Sequence, residues 1–88
     1  MDKRITVLIP NYNGAEFLKG LFDSLVLQTN VAFKCVFVDD GSSDNSVEIA
    51  QDAKTRLKDI TIFVFPHVGM AANWNRAVAM VDTEYFTL

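Results

Sequence analysis

The chain has 88 residues, of which 50% are hydrophobic and 22% are charged, so its composition is that of a small globular domain, or part of one, and excludes a disordered segment. Its formal net charge of −3 excludes the basic surface that binds nucleic-acid phosphates, and we expect no nucleic-acid partner. The single cysteine excludes an internal disulfide and fits a reducing compartment. We therefore expect a cytoplasmic protein, and the inner face of the membrane is left open as its location.

The first third of the chain predicts a strand, a turn and a helix. Residues 5–9 form an apolar run typical of a strand that is buried on both faces, and we expect Pro10 to end it because proline has no N–H for the sheet ladder. Residues 11–14 have the composition of a turn. A helix is predicted over residues 15–28, with one wide apolar stripe made of Phe17, Leu18, Leu21, Phe22, Leu25 and Val26.

The middle of the chain predicts two more strands around a second helix. Residues 33–38 and 60–65 read as strands, and Pro66 closes the latter. The helix between them is predicted to begin at Asn45, with Asn45 and Glu48 as a capping pair. Its buried face is predicted to consist of Val47, Ala50, Ala53 and Leu57. Cys35, inside a strand, is predicted to be a small core residue.

The last third predicts a loop at residues 67–69, a helix over residues 70–81, a turn at residues 83–84 and a strand over residues 85–88. The packed side of this helix is predicted to carry Trp74, Ala77, Val78 and Val81. The order βαβαβαβ indicates a mainly parallel sheet with right-handed crossovers. Because the chain stops inside an apolar strand, we expect it to be the N-terminal part of a longer domain.

Asp39 and Asp40 are the first candidate functional residues. They follow a buried strand directly and precede a helix, which places two carboxylates at the sheet edge where open α/β proteins bind ligands. The alternative is a plain turn in which Asp40 accepts hydrogen bonds from backbone amides. We favour a ligand site because adjacent carboxylates repel each other. Ser42, Ser43 and Asp44 are predicted to be capping residues.

Other polar residues lie in the loops at the same predicted edge. Tyr12 could offer its ring to a nucleobase, or residues 10–13 could be a simple strand-to-helix turn. Asn73 and Asn75 begin the third helix, where amides and the helix end can meet a diphosphate. Arg76 could add a cation there, but we interpret it as a solvated arginine, and we interpret His67, the only histidine, as a surface residue.

Glycine-rich phosphate-binding motifs are missing from the chain. The turn at residues 11–14 has one glycine, so the dinucleotide-binding fingerprint fails, and there is no P-loop. The residues therefore predict a nucleotide site without a glycine cradle, in which a group such as a metal handles the phosphates.

Taken together and in order, these motifs resemble those of family 2 glycosyltransferases, over essentially the whole chain. The matching segments are residues 9–13, Leu18, Leu21, residues 24–25, residues 28–29, residues 38–44, Gly69, Asn73, Asn75 and residues 84–85. The resemblance implies the Rossmann-like GT-A fold: an α/β sheet of order 3-2-1-4 with helices on both faces, truncated here after the fourth strand. It also implies that residues 1–88 are the incomplete, nucleotide-binding N-terminal part.

The resemblance implies transfer of a sugar from a nucleoside diphosphate, often UDP, to an acceptor hydroxyl, with a saccharide or lipid-linked acceptor. It also implies a divalent metal, Mn or Mg, in the full-length protein, bound by an acidic motif just after Leu88, so that neither metal ligands nor catalytic residues are expected in this chain. The implied nucleotide-binding residues are Pro10, Tyr12, Asn13, Asp39, Asp40, Gly69, Asn73 and Asn75.

Two further expectations accompany this interpretation. The exposed fourth strand predicts a homo-oligomer, since bare strand edges pair with other chains. The alternative function is a non-catalytic module that binds nucleotide or an interaction partner. A nucleotidyltransferase of related fold would need a glycine-rich, arginine-containing loop after the first strand, which is not found.

Overall fold

The computed structural model describes residues 5–28, 33–57, 59–81 and the backbone of residues 85–87. Strands and helices alternate within these residues as predicted: β1 (Ile5–Asn11), α1 (Ala15–Val26), β2 (Phe33–Asp40), α2 (Ser46–Ala53), β3 (Ile60–Phe65), α3 (Met70–Ala79) and β4 (Tyr85–Thr87). The turn predicted at residues 83–84, and Leu88, lie outside the described residues. Of the described helices, none is both long and apolar enough to cross a membrane.

The strands form one parallel sheet in the order β3-β2-β1-β4, the order that the resemblance implies. β1 pairs with β2 along its whole length, up to Asn11 opposite Asp39. β2 pairs with β3 up to Asp40 opposite Phe65. The carboxyl ends of three neighbouring strands therefore meet at one edge of the sheet, and the loops that follow them lie side by side.

Helices cover both faces of this sheet, and each face has its own apolar core. On one face, Phe22 of α1 and Phe37 of β2 are fully buried, with ring centroids 6.1 Å apart, together with Ala50 and Ala53 of α2. On the other face, Ala77 of α3 packs with Leu8, Val36 and Val38. Successive residues of β2 point to opposite faces, which explains why its apolar run is continuous instead of alternating.

Two strands are longer than predicted. β1 passes through Pro10 to Asn11, so the prediction that Pro10 ends it is wrong. β4 pairs only with Ile5–Val7, so no described strand lies beside Pro10 on that side, and a residue without an N–H is tolerated there. β2 continues to Asp40, which makes both adjacent carboxylates part of the strand. The helices end a few residues earlier than predicted, each in a turn.

The packed faces of two helices differ from the predicted ones. In α1, Leu18 and Phe22 are buried, whereas Phe17 is 74% exposed. In α3 the buried residues are Asn73 and Ala77, and Trp74, predicted to be core, is 38% exposed. Trp74 instead lines an apolar groove of about 380 Å³ beside the part of β1 that β4 leaves unpaired, together with Val7, Leu8, Ile9, Pro10, Leu21 and Leu25. Cys35 is buried in the core as predicted, and burial raises the pKa of its thiol to about 12.

Candidate functional site

Asp39 joins the end of β1 to the turn that follows β2. Asn11 Nδ2 donates to Asp39 Oδ1 at 3.0 Å. Ser42 donates twice, from its backbone N–H to Oδ2 at 2.8 Å and from its hydroxyl to Oδ1 at 2.7 Å. The side chain of Asp39 is fully buried, so its carboxylate holds two loops of the protein together. A direct contact of Asp39 with a nucleotide stays a prediction.

Asn13 ties the loop after β1 to the same turn. Its φ of 52° is left-handed, a conformation that asparagine adopts more readily than most residues. The backbone N–H of Asn13 donates to Ser42 Oγ at 2.8 Å, and its side-chain Oδ1 accepts the N–H of Ser43 at 2.8 Å. The first two loops of the sheet edge therefore form one hydrogen-bonded unit.

Asp44 connects the beginnings of α1 and α2. It accepts the N–H of Ala15 at 3.1 Å and that of Ser46 at 3.0 Å, and these bonds confirm its predicted capping role. The hydrogen bond from the Ser46 hydroxyl is the largest of the influences that hold the pKa of Asp44 below 3.8. The predicted capping pair of Asn45 and Glu48 is wrong, since the Asn45 side chain makes no capping hydrogen bond. The carboxylate of Asp44 instead accepts the N–H of Ser46 at the start of α2.

Asp40 organises the loop between β3 and α3. The N–H groups of Val68 and Gly69 donate to its two carboxylate oxygens at 2.8 and 3.0 Å. Arg76 and His67 approach the same carboxylate at 3.2 and 3.0 Å. Burial by itself would raise the pKa of Asp40, but the hydrogen bonds from the two amides and the electrostatic influence of His67 and Arg76 outweigh it and hold that pKa below its usual value. Asp40 is thus an ionised, fully buried acid that caps backbone amides.

Tyr12 and His67 form the exposed part of this cluster. Their rings lie with centroids 4.4 Å apart at an interplanar angle of 33°. Tyr12 is 41% exposed, and the side chain of His67 is 53% exposed. An aromatic surface therefore faces solvent directly beside the loop that Asp40 holds, where a nucleobase could stack.

Arg76 links the start of α3 to the end of the sheet. Besides Asp40, its guanidinium donates to Asn73 Oδ1 at 2.6 Å and lies 4.2 Å from the ring centre of Phe65. Asn73 in turn donates from Nδ2 to the carbonyl oxygen of Val38 at 3.1 Å. The interpretation of Arg76 as a solvated cation is therefore wrong, because the guanidinium is half-buried among three partners.

The structure brings most of the predicted site residues together but separates two of them. One cluster contains Tyr12, Asp40 and Gly69, and Asn73 is connected to it by its hydrogen bond with Arg76. The adjoining hydrogen-bonded loop unit contains Asn13 and Asp39. Pro10 instead lines the apolar groove. Asn75 is exposed, because two residues along a helix rotate a side chain by about 200° from the buried Asn73.

Two residues of the cluster were not recognised as such from the sequence. His67 and Arg76 both contact Asp40, over separations of 27 and 36 residues along the chain. The available signal was their position: His67 follows the strand predicted next to Asp40, and Arg76 lies one helical turn after Asn73. Each side chain could therefore reach the same sheet edge.

The arrangement of these acids does not suit a metal ion. Among the described residues, no three histidine, cysteine, aspartate or glutamate side chains come together as a cation site would require. The oxygens of Asp39 and Asp40 accept hydrogen bonds from N–H and O–H groups, and a guanidinium lies against Asp40. We therefore derive no step of a reaction from a metal on these residues.

Comparison with known proteins adds to this geometry. A structure of S. aureus TarS 1-349 superposes with a TM-score of 0.82 at 24% identity, covering 96% of this chain and 26% of that one. A mannosyltransferase from Pyrobaculum calidifontis in complex with GDP-Man and Mn²⁺ superposes with a TM-score of 0.78 at 22% identity, covering 92% and 25%. These likenesses show the fold, which is that of GT-A glycosyltransferases.

Sequence comparison agrees. A processive diacylglycerol beta-glycosyltransferase of Mycoplasma genitalium is 32% identical over 89 residues, which cover 98% of this chain and 26% of that protein. The chain spans between 12% and 30% of the length of eight curated relatives that it matches. Residues 6–88 match the sequence profile described as Glycosyl transferase family 2. The chain therefore belongs to glycosyltransferase family 2.

Proposed function

We propose that this chain is the nucleotide-binding part of an enzyme that transfers a sugar from a nucleoside diphosphate to an acceptor hydroxyl. The observation that carries the proposal is the exposed ring of Tyr12 beside His67, held at the carboxyl edge of the sheet. Family membership supports it, since the matching profile is that of glycosyl transferases. Stacking on an exposed aromatic ring is one way in which proteins bind a base.

We propose a UDP-sugar as the donor, with a GDP-sugar as the competing possibility. The first follows from the resemblance of the motifs, and the second from the Pyrobaculum neighbour, whose complex contains GDP-Man. The start of α3 supports a diphosphate at this edge, because helix N-termini favour anions and Gly69 precedes the helix directly. Asn73 would act by holding the helix in place, and a direct contact of the exposed Asn75 with the diphosphate stays a prediction.

The proposed acceptor is a hydroxyl of a saccharide or of a lipid-linked molecule. The Mycoplasma relative, a diacylglycerol glycosyltransferase by its description, favours the lipid-linked class. A divalent metal is proposed for the full-length protein, since the Pyrobaculum neighbour contains Mn²⁺, and it would be held by residues other than Asp39 and Asp40. A cytoplasmic location stays a prediction.

The second candidate is a non-catalytic binding module. The carboxylates of Asp39 and Asp40 are both fully buried and engaged by internal donors, so they organise loops without being free to act on a substrate. A module of this kind would bind nucleotide through Tyr12 and His67 and would show no transfer in any assay of the full-length protein.

Calorimetric titration of the 88-residue chain with UDP and with GDP tests the proposed function. We expect binding that Tyr12→Ala weakens by about tenfold, because a base–aromatic stack contributes about 1–3 kcal/mol. Phe17→Ala is the matched control, since it also removes an exposed aromatic side chain, here from α1, and should leave affinity unchanged. A folded chain that binds neither nucleotide, or binds them equally well without Tyr12, would contradict the proposal.

We also propose self-association through β4. This strand lies at one edge of the described sheet and pairs only with β1, which leaves its other side open. Light scattering of the 88-residue chain should give a mass that rises above 9.8 kDa with concentration. A constant monomer mass at millimolar concentration would rule this out.

A further inference from the structure

Asn13 and Gly14 form the only asparagine–glycine step in the sequence. In such a step the backbone nitrogen of the glycine can attack the side-chain carbonyl carbon of the asparagine, because no Cβ stands beside the attacking atom. The other asparagines precede larger residues, and of these Asn45, followed by Ser46, is the least hindered. The sequence therefore singles out Asn13 as the asparagine most open to this attack.

The structure surrounds the oxygen of the attacked carbonyl group with hydrogen-bond donors. Asn13 Oδ1 accepts the N–H of Ser43 at 2.8 Å and that of Asp44 at 3.3 Å, and the Ser43 hydroxyl lies 3.4 Å away. When a nucleophile adds to Cγ of Asn13, negative charge develops on this oxygen, and donors that are already in place stabilise it. The turn after β2 thus presents an oxyanion hole to the Asn13 side chain.

Neither nitrogen that takes part in such a reaction is held by a described hydrogen bond. The described hydrogen bonds of Gly14 are made by its carbonyl oxygen, which accepts the N–H groups of Phe17 and Leu18. Those of the Asn13 side chain are made by Oδ1, and the residue is exposed. The attacking nitrogen is therefore available, and Nδ2 can depart into solvent.

The fold requires a glycine at position 14. A Cβ there would lie 2.4 Å from Oδ1 of Asn11. The Asn11 side chain is buried, and its Nδ2 donates to Asp39 at 3.0 Å and to the Ser42 hydroxyl at 3.3 Å, so it cannot move aside without loss of these bonds. The same packing that positions Asn11 therefore keeps beside Asn13 the residue that makes it reactive.

We propose that Asn13 is a site of spontaneous covalent modification in the folded protein. The Gly14 nitrogen gives its proton to solvent and forms a bond to Cγ of Asn13. The Cγ–Nδ2 bond breaks, and Nδ2 takes up a proton and leaves as ammonia, which produces a cyclic succinimide. Water then adds to one of the two ring carbonyl groups and opens the ring to aspartate or to isoaspartate. Water is the only co-reactant, and no atom changes its oxidation state.

The two products differ in their effect on the loops. Aspartate keeps an oxygen that can accept the N–H groups of Ser43 and Asp44. Isoaspartate adds a carbon atom to the backbone between residues 13 and 14, and so displaces the start of α1 from the turn to which Asn13 is bonded. Either product replaces a neutral amide by a carboxylate, which makes the net charge more negative by one. The isoaspartate form should therefore melt at a lower temperature than the parent.

Incubation of the 88-residue chain at neutral pH, followed by ion-exchange chromatography and peptide mass spectrometry, tests the proposal. We expect an acidic species modified at Asn13 and containing isoaspartate, since direct hydrolysis of the amide would give aspartate alone. The rate at Asn13 should exceed that at Asn45 by at least about tenfold, because Asn13 has the oxyanion donors. At Asn45 the attacking N–H, that of Ser46, is buried and donates to Asp44 at 3.0 Å.

The same incubation in guanidinium chloride separates the effect of the fold from that of the sequence. If the donors from the turn after β2 stabilise the intermediate, Asn13 reacts at least as fast in the folded chain as in the unfolded one. A slower reaction in the folded chain overturns the proposal, because the hydrogen bonds to Oδ1 would then protect Asn13 from attack.

Variants identify the reacting residue. Asn13→Gln, whose longer side chain would have to close a larger and less favourable ring, should give no acidic species at position 13, and circular dichroism verifies its fold. Asn45→Gln is the matched control and should leave the yield unchanged. Asn13→Asp supplies the chromatographic reference for the aspartate product. An acidic species that persists in Asn13→Gln, or modification spread evenly over the asparagines, contradicts the proposal.

Discussion

Asp40 is the residue at which most contacts of the candidate site meet. Its buried carboxylate accepts the N–H groups of Val68 and Gly69 and pairs with Arg76 and His67. A buried charge is tolerated only when it has such partners, because desolvation otherwise makes the ionised form too costly. Removal of the charge should therefore loosen the loop before α3 as well as the pairing with Arg76.

Acid should destabilise the protein through Asp40. Because the folded-state pKa of this group lies below 3.8, the ionised carboxylate contributes stability that is complete above that value and is lost as the pH falls through the lower folded-state pKa. In Asp40→Asn this contribution is missing, so the free energies of unfolding of the two proteins should differ above about pH 3.8 and converge as the pH falls below that value. Urea unfolding followed by circular dichroism measures them. Asp52→Asn, an exposed acid on α2, is the control and should keep the acid dependence of the parent.

Gly41 is a position in the site where a side chain is poorly tolerated. Its φ is +70°, and a Cβ would lie 2.8 Å from the backbone nitrogen of His67. We expect Gly41→Ala to lower the free energy of unfolding by about 1–3 kcal/mol. Gly20→Ala in α1, where a Cβ meets nothing within 4 Å, should raise it by about 0.5–1 kcal/mol. A Gly41→Ala protein with the same free energy of unfolding as the parent would contradict this, because it would show that the loops of Gly41 and His67 can move apart without loss of stability.

At the scale of elements, α3 is attached to the sheet by polar bonds as well as by apolar packing. Asn73 reaches the carbonyl oxygen of Val38 in β2, and Arg76 bridges Asn73 to Asp40. Trp74, which is larger than either, contributes to the groove and not to this attachment. The polar contacts give α3 a defined position relative to the sheet edge, since hydrogen bonds are more directional than apolar contacts.

Two asparagines of α3 make a direct test of this attachment. Asn73→Ala should lower the free energy of unfolding by about 1–3 kcal/mol, because the buried carbonyl group of Val38 loses the amide donor and the half-buried guanidinium of Arg76 loses one of its partners. Asn75→Ala, an identical change at an exposed position, should change it by less than about 0.5 kcal/mol. Equal effects in chemical unfolding would mean that the buried amide does not anchor the helix.

At the scale of the whole molecule, β2 is the centre of the fold. It lies between β1 and β3, and its side chains enter both cores, Cys35 and Phe37 on one face and Val36 and Val38 on the other. Its last two residues then become the acids of the candidate site. The strand that stabilises the domain therefore also positions the site, so that a loss of core packing should affect both.

Truncation of Phe37 tests that dependence. Phe37→Ala should cost about 3–5 kcal/mol, a large part of the stability of about 5–15 kcal/mol that such domains possess. Phe37→Leu keeps most of the volume and should cost less than about 1.5 kcal/mol, which allows ligand titration on a folded variant. Phe17→Ala, on an exposed aromatic residue, should be close to neutral. A small effect of Phe37→Ala in urea unfolding would contradict the assignment of this core.

The amino-acid sequence by itself determined the succession of strands and helices and the place of Asp39 and Asp40 at the carboxyl end of a buried strand. These features depend on local signals: apolar runs, helical spacing and breaking residues such as Gly41. The core position of Cys35 followed in the same way. The sheet order came from the resemblance to a family, since local signals contain no information about which strands are neighbours.

Only the tertiary structure decided what the two acids contact. Asn11 meets Asp39 across 28 residues, and Arg76 meets Asp40 across 36, distances over which sequence spacing predicts nothing. The tertiary structure also decided which side of α3 is buried. A helix with apolar residues on more than one side can pack in several ways. Here the side of α3 that carries Asn73 faces the sheet, because the buried amide donates to the carbonyl oxygen of Val38 in β2.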